Sequence, residues 1–517
     1  MSRVWMTSDP VDVLVVGAGP VGLALALDVV AHGGTVRIVE RRTDHRRPSR
    51  AMMVHPRTLE VLRPLGVVDA LLARGDTSPA ADLHVGRRLV QVELGDLGWR
   101  GTAYPHLTMI RQLDVEEVLR AELHARGVEV EWGTGLDPRD GVPVSGTDGV
   151  RATVRSSSRA EQVDARFLVG ADGTSSTVRQ QLGIGWPGRY YPVEVVLADV
   201  ELCGDVRPGR LQVAAGAAGL VFVFALGEGA PWRILATRPR RAGTPGLGEE
   251  PVPTEQLQEL VDRAGLEAVV SGVAWSSRIT LQHRLARRFA AGRAFLVGDA
   301  AHTHSPAAAQ GMNSGIQDAT NLGWKLAHAA AADLGPDSPL LRSYQLERRP
   351  VARQVLALTD TVFTMEASPA LLPSLVRGRL LPLAAPLMPW ATSRRPLMST
   401  VLWILSQGWV RYRSSPLSVD RDPGRPGPHP GDRLPETRVV CDGRPTSLHE
   451  LTAQPGVHVL VSREAAPQPA RVARNTMVHR LSSRPGTAVT AVRPDGQVGF
   501  RSPTGAGLEN WLSLVGK

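Results

Sequence analysis

The chain has 517 residues, of which 43% are hydrophobic, so it is long and apolar enough for about two to four folded domains and is not a disordered protein. Its formal net charge is +9, and arginine supplies almost all of the cations because lysine occurs only at Lys325 and Lys517. Only 4% of the residues are aromatic and no basic run is interleaved with them, which argues against nucleic-acid binding.

The first predicted elements are a strand, a glycine-rich turn and a helix. Val11–Val16 is a continuous apolar run, as expected of a buried parallel strand. The turn contains Gly17, Gly19 and Gly22 in a GxGxxG pattern. In this pattern the first glycine permits a tight turn, the second lets a pyrophosphate approach, and the third lets the helix pack on the strand.

A second predicted strand, Thr35–Val39, ends at Glu40, whose carboxylate can accept hydrogen bonds from a ribose diol. A glycine motif alone is weak evidence. One that lies between two strands, with an acid at the end of the second, predicts a nucleotide-binding unit. The alternative is a purely structural glycine-rich turn.

Helices and further strands are predicted up to about residue 185. Residues 49–75 have helical periodicity, and residues 109–127 predict a short strand followed by an amphipathic helix. Residues 165–184 predict a strand that ends at Asp172 and Gly173, followed by a helix that begins at Ser175 and Ser176.

Residues 186–280 have a different pattern, in which apolar strands are joined by Gly/Pro turns and one helix intervenes at 254–265. This pattern predicts an inserted antiparallel domain. A parallel strand returns within 292–302, which contains Gly298 and Asp299. A loop follows, and then a long helix that is predicted to start near Gly311 and to run on towards residue 363.

Residues 365–415 predict apolar helices interrupted by proline and arginine, and none of them is a convincing spanning helix. The N-terminal residues carry Asp9, Pro10 and Asp12 ahead of the first apolar run, which is unlike a signal peptide. We therefore expect a soluble cytoplasmic protein with no membrane partner.

Residues 421–435 form a Pro/Gly-rich linker and predict a domain boundary, beyond which a small α/β domain is expected. Cys203 and Cys441 are the only cysteines, which predicts neither a disulfide framework nor a metal cluster. The C-terminal region contains no CxxC pair, so no redox role is expected for it.

Three segments lie at the ends of predicted parallel strands, where doubly wound sheets bind ligands: the GxGxxG turn, the Asp172–Gly173 pair and the Gly298–Asp299 pair. FAD needs such a set. Its adenosine ribose needs an acid, its pyrophosphate needs a helix N-terminus, its ribityl chain needs an acceptor, and its ring edge needs donors when it is reduced.

These motifs resemble those of the class A flavoprotein monooxygenases, which have the p-hydroxybenzoate-hydroxylase fold, and within that class those of the bacterial aromatic polyketide hydroxylases. The matching segments are VVGAGPVGLALA, VERR, IRQLDVEEVL, LVGADGTSSTVR, FLVGDAAHTHSP and QGMNSGIQDATNLGWKLA, with RYRSSPLSVDRDPG, RPDG and NWL near the C-terminus. The resemblance covers nearly the whole chain.

The resemblance implies an α/β fold: a Rossmann-like FAD domain with an inserted antiparallel β substrate domain and a C-terminal thioredoxin-like α/β domain. The implied FAD-binding domain is discontinuous (residues 1–80, 108–185 and 281–365). The implied substrate-binding sheet covers 81–107 and 186–280, a helical connection covers 366–420, and the thioredoxin-like domain covers 421–517.

The resemblance also implies FAD as cofactor, NADPH or NADH as reductant and O2 as cosubstrate. A flavin C4a-hydroperoxide would then transfer oxygen to a phenolic or quinonoid ring of a polycyclic aromatic, polyketide-type metabolite. We expect the FAD to be noncovalent, because no Cys or His lies in a segment predicted to reach the flavin methyl edge. The segment at Asp172 is implied to serve both FAD and the nicotinamide, since no second Rossmann motif is visible.

The family's site residues are carried over position by position. Glu40 matches the ribose-binding acid, Arg50 the arginine that meets the pyrophosphate, and Gln112 the glutamine near the phosphates or ribityl chain. The full set of candidate cofactor-binding residues is Gly17, Gly19, Pro20, Gly22, Glu40, Arg41, Arg50, Arg111, Gln112, Asp172, Gly298, Asp299, Pro306, Gly311, Met312 and Asn313. The candidate catalytic residues are Pro306, Ala308 and Asp172, and no metal is expected.

Structural alternatives exist for several of these residues. In the alternative interpretation, Arg50 and Gln112 are ordinary polar residues on the surface of a helix, and Asp172 and Asp299 are helix caps. His302 and His304 are either acid–base groups or ordinary loop histidines, and we favour the ordinary interpretation.

The loop before the last predicted helix departs from the family pattern, since Ala308 replaces a usual glycine. Its methyl would crowd the face of the flavin on which substrate sits and would restrict φ. Three functional alternatives remain open beside hydroxylation: Baeyer–Villiger insertion, a non-oxygenating flavin oxidoreductase, and a cofactor-free binding protein. A monomer or a homodimer is expected.

Overall fold

The structure is a computed structural model in which the described residues are 11–44, 51–85, 88–139, 144–145, 149–204, 206–207, 209–216, 219–225, 230–239, 251–368, 370–462, 475–482 and 488–515. Within these ranges the strands form sheets of nine, eight and seven strands and a two-stranded ladder of Met53–Val54 with Thr108–Met109. The mixed α/β class predicted from the sequence is confirmed.

The nine-stranded sheet has a parallel centre. Its main path is Ala290–Ala291, Ala294–Leu296, Ala160–Gly170, Val11–Val16, Val36–Glu40 and Val130–Trp132, and Val150–Arg155, Gly135–Leu136 and Val144–Ser145 join it on one side. Val13 pairs with both Phe167 and Val36 and is fully buried, since helices cover both faces of a parallel sheet. The predicted first strand, Val11–Val16, is confirmed. The second strand is Val36–Glu40, one residue later than the predicted Thr35–Val39.

Fourteen α-helices are found in the described ranges. They are Pro20–Ala31, Pro56–Leu62, Val68–Arg74, Gln112–Ala125, Thr177–Gln181, Thr254–Arg263, Gln310–Ala331, Pro339–Ala367, Leu371–Leu375, Leu381–Ala384, Met388–Ser393, Arg395–Leu405, Leu448–Leu451 and Leu508–Val515. The predicted helix at 254–265 is confirmed, and Ser176 caps the predicted helix after the Asp172 segment by accepting from Arg179 N at 2.9 Å.

The long helix predicted to continue from Gly311 towards residue 363 is divided in the structure. The first helix ends at Ala331, the second begins at Pro339, and Asp333 between them has φ +51°. Ser338 caps the second helix by accepting from Leu341 N. The turn contains Gly335, Pro336 and Pro339, which are helix-terminating and helix-starting residues, so the sequence did carry a signal for this break.

The inserted sheet is largely antiparallel, as expected. Its order is His302–Thr303, Ala268–Leu285, Gly188–Gly204, Trp232–Pro239, Gly219–Phe224, Arg210–Gly216, Ala80–Val85 and Arg88–Glu93. One pair, Arg210–Gly216 with Ala80–Val85, is parallel. Helix Thr254–Arg263 covers one face, and the other face turns towards the loop that contains Ala307.

The C-terminal sheet has the order Val419–Asp420, Val498–Ser502, Val489–Val492, Val457–Ser462, Thr476–Leu481, Arg438–Cys441 and Arg444–Ser447. Its first strand lies two residues before the expected boundary at 421. Phe500 and Trp511 of this region belong to the same apolar cluster as Val13 and Ile316. The C-terminal residues therefore share a core with the nine-stranded sheet, and the division into domains stays a prediction.

Among the described helices, no single one is long and apolar enough to cross a bilayer. Pro339–Ala367 and Leu371–Ser393 reach that length and apolarity only as a pair, and the chain bends by 60° at the break between them.

A buried cluster of charges joins the helices to the C-terminal sheet. Arg493 donates to both oxygens of Glu347 at 2.6 and 2.8 Å, and Lys325 donates to the same carboxylate at 2.8 Å. All three side chains are at most 1% exposed. Burial alone raises the pKa of Glu347, but the two cations outweigh it and hold the pKa well below its usual range.

We expect Glu347→Ala to lower the free energy of unfolding by about 3–5 kcal/mol, because it leaves the buried Lys325 without a carboxylate and Arg493 with only Asp495. Urea denaturation measures the change. The control is Glu117→Ala, which removes an exposed partner of Arg74 at 3.3 Å and should cost less than about 1 kcal/mol. Equal losses in the two variants would contradict the prediction.

Candidate active site

The glycine turn is fixed by backbone contacts on both sides. Gly17 has φ +107° and donates to Val39 O at 2.8 Å, and a Cβ at this position would lie 2.4 Å from Ala171 O. A Cβ at Gly22 would lie 1.9 Å from Gly17 O. Both glycines are therefore required by the close approach of neighbouring backbone.

The helix that follows the turn begins at Pro20, with Gly19 as its N-cap. No side chain caps this end, and the first turn contains no acid. The first amides and the positive end of the helix dipole are thus available to an anion, as in dinucleotide-binding turns.

Glu40 lies at the end of the next strand and is 7% exposed. Its carboxylate accepts from Ala18 N at 2.9 Å and from Arg42 N at 3.0 Å. Burial raises the pKa of Glu40, but these hydrogen bonds and the Arg42 charge outweigh burial, so the net shift is downward. The acid is therefore ionised at neutral pH and held against the glycine turn.

Asp172 follows the strand Ala160–Gly170. Its Oδ2 accepts from Thr177 N at 2.7 Å and from Val178 N at 3.2 Å, which is the capping role considered as an alternative. Its Oδ1 is buried and has no hydrogen-bond partner among the described residues. Burial raises the pKa of this carboxyl. Most buried polar atoms in folded proteins have a hydrogen-bond partner. The unpaired Oδ1 of Asp172 therefore points to a ligand contact in addition to the capping role.

The turn Gly298–Ala300 follows the strand Ala294–Leu296. Gly298 has φ +56° and donates to Asp318 Oδ2 at 3.2 Å, whereas the Asp299 side chain is exposed. Hydrogen bonds from Ala171 N to Val16 O and from Val297 N to Gly170 O place this turn beside the other two. Glu40, the glycine turn, Asp172 and Asp299 therefore share one edge of the sheet.

The alanine-rich loop Ala307–Ala309 is a 3-10 turn that leads into helix Gln310–Ala331. The left-handed backbone conformation occurs at Ala309, with φ +51°, and not at Ala308, where the sequence predicted a restricted φ. An L-residue with a Cβ pays about 1–2 kcal/mol in this region. Pro306 precedes the turn and is exposed.

Two predicted cofactor residues have side chains that bond within the protein. Asn313 is fully buried, accepts from His55 N and Thr58, and donates to Ala309 O and Met53 O. Gln112 accepts from Ala51 N at 3.3 Å and donates to Glu116 at 2.7 Å. The backbone amide of Gln112 also donates to Ala51 O at 3.0 Å, so both side chains are engaged within the protein and hold the loops around the site.

The remaining predicted residues lie around the site. Arg111 pairs with Asp114 at 2.7 Å, and Arg41 is exposed. Arg50 lies outside the described residues. Met312 is buried. A Cβ added at Gly311 would lie 3.9 Å from His304 Cε1, so the two residues are neighbours.

The two loop histidines have different surroundings. His302 is 1% exposed and lies 2.7 Å from Asp318 Oδ2, so it is part of the fold, as favoured from the sequence. His304 stacks on it, with ring centroids 6.2 Å apart. Burial lowers the pKa of His304 to about 4, so its ring is neutral at neutral pH.

A set of residues that sequence reasoning missed forms an apolar wall beside the alanine loop. We define the apolar wall as Met109, Tyr191, Val193, Val195, Leu197, Phe224, Leu235, Leu281, Ala307, Phe363 and Ala367. It joins one face of the eight-stranded sheet to the loop and to the end of helix Pro339–Ala367. The alternation of Val193, Val195 and Leu197 was the available signal, but it does not say which face a ligand uses.

Glu366 lies on the last turn of helix Pro339–Ala367, between Phe363 and Ala367 of the apolar wall. No hydrogen bond or ion pair reaches it from the described residues. Burial raises the pKa of Glu366 to about 7. A carboxyl that ionises near neutrality beside an apolar surface was not predicted from the sequence.

Within the described ranges, no three His, Cys, Asp or Glu side chains converge as metal ligands. Cys203 and Cys441 are both free thiols.

The chain is similar to known proteins over nearly its whole length. The sequence profile of the FAD binding domain family matches residues 10–359. The 6-methylpretetramide 4-monooxygenase of Streptomyces rimosus is 35% identical over 470 residues, which cover 89% of this chain and 78% of that protein.

Solved structures agree with these matches. The anhydrotetracycline hydroxylase OxyS from Streptomyces rimosus superposes with a TM-score of 0.76 and 26% identity, covering 98% of this chain and 99% of that one. Aklavinone-11 hydroxylase, solved as a ternary complex with FAD and aklavinone, gives a TM-score of 0.76 at 25% identity and covers 99% of both chains.

The strained alanine gives a test of the loop. We expect Ala309→Gly to raise the free energy of unfolding by about 1 kcal/mol, because glycine adopts positive φ without the Cβ penalty. The control Ala308→Gly, within the 3-10 turn, should lower it by about 0.5–1 kcal/mol through chain entropy. Urea denaturation measures both, and a loss in both variants would contradict the assignment of strain.

The raised pKa of Glu366 predicts a pH-dependent stability. Because its folded-state pKa of about 7 exceeds the ordinary value of 4.5, its contribution is complete below pH 4.5 and is lost as pH rises through 7. Glu366→Gln lacks this loss, so relative to the parent it should gain about 2–3 kcal/mol between pH 5 and pH 8.

Denaturation of both proteins at the two pH values measures this difference. The control Glu509→Gln replaces an exposed carboxyl and should leave the pH dependence unchanged. An equal pH profile for the parent and Glu366→Gln would show that Glu366 is solvated.

Proposed function

The chain belongs to the FAD binding domain family, and on that premise we propose that it is an NAD(P)H-consuming, FAD-dependent monooxygenase that hydroxylates a polycyclic aromatic, polyketide-type metabolite. The observation that carries the proposal is the arrangement at one sheet edge. A glycine turn, an ionised buried acid and an orphaned carboxylate oxygen lie there together. Relatives named for tetracycline-type substrates support the substrate class.

The residues present fit FAD. The turn at Gly17 and the uncapped helix at Pro20 would hold the pyrophosphate, and Glu40 would hold the adenosine ribose. Asp299, whose side chain is exposed at the same edge, would accept from the ribityl chain. When bound, FAD supplies two-electron reduction by NAD(P)H and activation of O2.

The start of helix Gln310–Ala331 would meet the polar edge of the flavin ring. The first amides of a helix have no intrahelical acceptor, and the dipole is positive at this end. Asn313 ties this end to Met53 and His55, so the amides are held in place before any ligand binds. Amides fixed in this way stabilise negative charge without reorganisation.

The apolar wall would bind the rings of the substrate and exclude water. Phe224 and Phe363 provide aromatic surface, and Tyr191 meets Phe363 edge to face with centroids 5.1 Å apart. Asp199 and Arg233 lie on the same sheet face and form a buried pair, with hydrogen bonds of 2.6 and 2.7 Å. This pair would supply polarity at the far end of an otherwise apolar surface.

Pro306, Ala308 and Asp172 stay proposed catalytic positions. Asp172 Oδ1 would accept a hydrogen bond from the cofactor or from the nicotinamide, which accounts for a buried oxygen that the fold does not use. His304 stays neutral beside Gly311 and would not bring a positive charge to the ring.

The purified protein is expected to be yellow and to release its FAD into the supernatant on acid precipitation. With NADPH or NADH, O2 and a tetracyclic phenolic substrate it should form a product that gains one oxygen atom. Isotope-labelled O2 with mass spectrometry measures the incorporation, and NMR separates a hydroxyl from a lactone. Reduction of the flavin without labelled product would favour a non-oxygenating oxidoreductase.

Glu40→Gln is expected to weaken FAD binding by about 1–3 kcal/mol, because a buried charge-assisted hydrogen bond to the ribose is lost. Fluorescence titration of the apoprotein with FAD measures the affinity. The matched control is Glu131→Gln on the adjacent strand, where Glu131 pairs with Val39 in register and binds Arg37. Equal FAD affinity of both variants would show that Glu40 only braces the turn.

A further inference from the structure

A helical segment on the outside of the protein exposes large apolar side chains. It comprises the short helices between Leu371 and Leu405 that follow helix Pro339–Ala367. Leu371, Leu383 and Trp390 are 85%, 76% and 59% exposed, and Leu372, Leu387 and Leu397 are also exposed. We call these six residues the leucine surface. An exposed apolar patch of this kind marks an interaction site in a folded protein.

The charged residues of the segment that carries the leucine surface are all cationic. Residues 367–419 contain no Asp or Glu. Arg379, Arg394 and Arg395 are exposed, and Arg394 lies over the ring of Trp390 at 4.9 Å from its centroid. Asp96, from outside the segment, lies 3.9 Å from Arg395.

The leucine surface lies next to the wall of the candidate active site. It begins four residues after Ala367, which belongs to the apolar wall, and Arg377 anchors it by donating to Met365 O and Ser368 O at 2.7 Å. Helix Met388–Ser393 packs against the edge strand Arg88–Glu93 of the eight-stranded sheet. The surface is therefore attached to the fold at both ends.

We propose that the leucine surface docks on an anionic lipid bilayer. Leucine side chains enter the acyl boundary, tryptophan favours the interface, and arginine pairs with anionic head groups. The helical run Leu371–Ser393 is not by itself apolar enough to cross a bilayer, and helix Arg395–Leu405 has only 11 residues. In this proposal both therefore lie in the plane of the interface. The expectation of no membrane partner was based on spanning helices alone and does not bear on peripheral contact.

A second copy of the chain is a poorer occupant. A twofold interface brings the same patch of both subunits together. It would place Arg379, Arg394 and Arg395 of each copy against the same cations of the other without acids from this segment. Like charges in contact across an interface are unfavourable, whereas an anionic bilayer neutralises them.

The test is co-sedimentation of the holoenzyme with extruded vesicles of phosphatidylcholine, with and without about one quarter phosphatidylglycerol. We expect binding to the anionic vesicles that weakens at least about tenfold in 0.5 M NaCl. Leu383→Ser/Leu387→Ser/Trp390→Ser and, separately, Arg379→Gln/Arg394→Gln should each weaken it by about tenfold or more. Retained flavin absorbance shows that each variant is folded.

The matched control is Val269→Ser/Leu346→Ser, which removes two apolar side chains of 61% and 51% exposure that lie outside this segment. It should bind anionic vesicles like the parent. Equal sedimentation of the parent with and without vesicles would overturn the proposal. So would a concentration-dependent dimer, detected by light scattering, that the leucine variant abolishes while vesicle binding is absent.

Discussion

The Gly298–Asp299 turn of the proposed cofactor site depends on one buried ion pair, between Asp318 and Arg348. Arg348 Nε donates to Asp318 Oδ1 at 2.6 Å, and both side chains are fully buried. The second oxygen of Asp318 accepts from Gly298 N and lies 2.7 Å from His302. One carboxylate therefore orients the Gly298–Asp299 turn and the loop that follows it. Removing either partner of a buried ion pair strongly destabilises the fold, because the remaining charge is left without a counter-charge or water. The ion pair therefore fixes the position of the turn.

The helix that supplies Arg348 connects the other parts of the protein. Its neighbouring residue, Glu347, binds Arg493 of the C-terminal sheet and Lys325 of the preceding helix. Further along, Phe363 reaches the apolar wall, and the chain then continues into the leucine surface. The proposed cofactor site, the apolar wall and the leucine surface are thus arranged along helix Pro339–Ala367. The C-terminal sheet is connected to this helix through the ion pair of Glu347 with Arg493.

The alanine loop stores strain at the point where a ligand would approach. Ala309 adopts a left-handed backbone at the N-cap of helix Gln310–Ala331, and its carbonyl accepts from Asn313 Nδ2 at 2.8 Å. Non-glycine residues in this region persist only where surrounding contacts fix them, and such sites cluster at ligand-binding loops. The Asn313 side chain, with four hydrogen bonds, provides that fixation.

The sequence by itself determined the elements whose information is local. The spacing of Gly17, Gly22 and Glu40 specified the turn, because each of these residues acts on backbone within a few positions or on the adjacent strand. Asp172 and Asp299 were placed at strand ends for the same reason. Chain order and apolar patterns also identified the inserted sheet and the C-terminal α/β region.

Only the tertiary structure decided which polar side chains are already occupied. Asn313 bonds across 258 positions to His55, and Gln112 bonds across 61 positions to Ala51, so neither pattern was visible locally. The strain at Ala309 depends on how the loop joins the helix, and the pKa of Glu366 depends on burial by distant residues. The sequence of residues 371–401 predicts ordinary apolar helices. Their exposure is set by which surfaces the rest of the chain covers, and no local pattern contains that information.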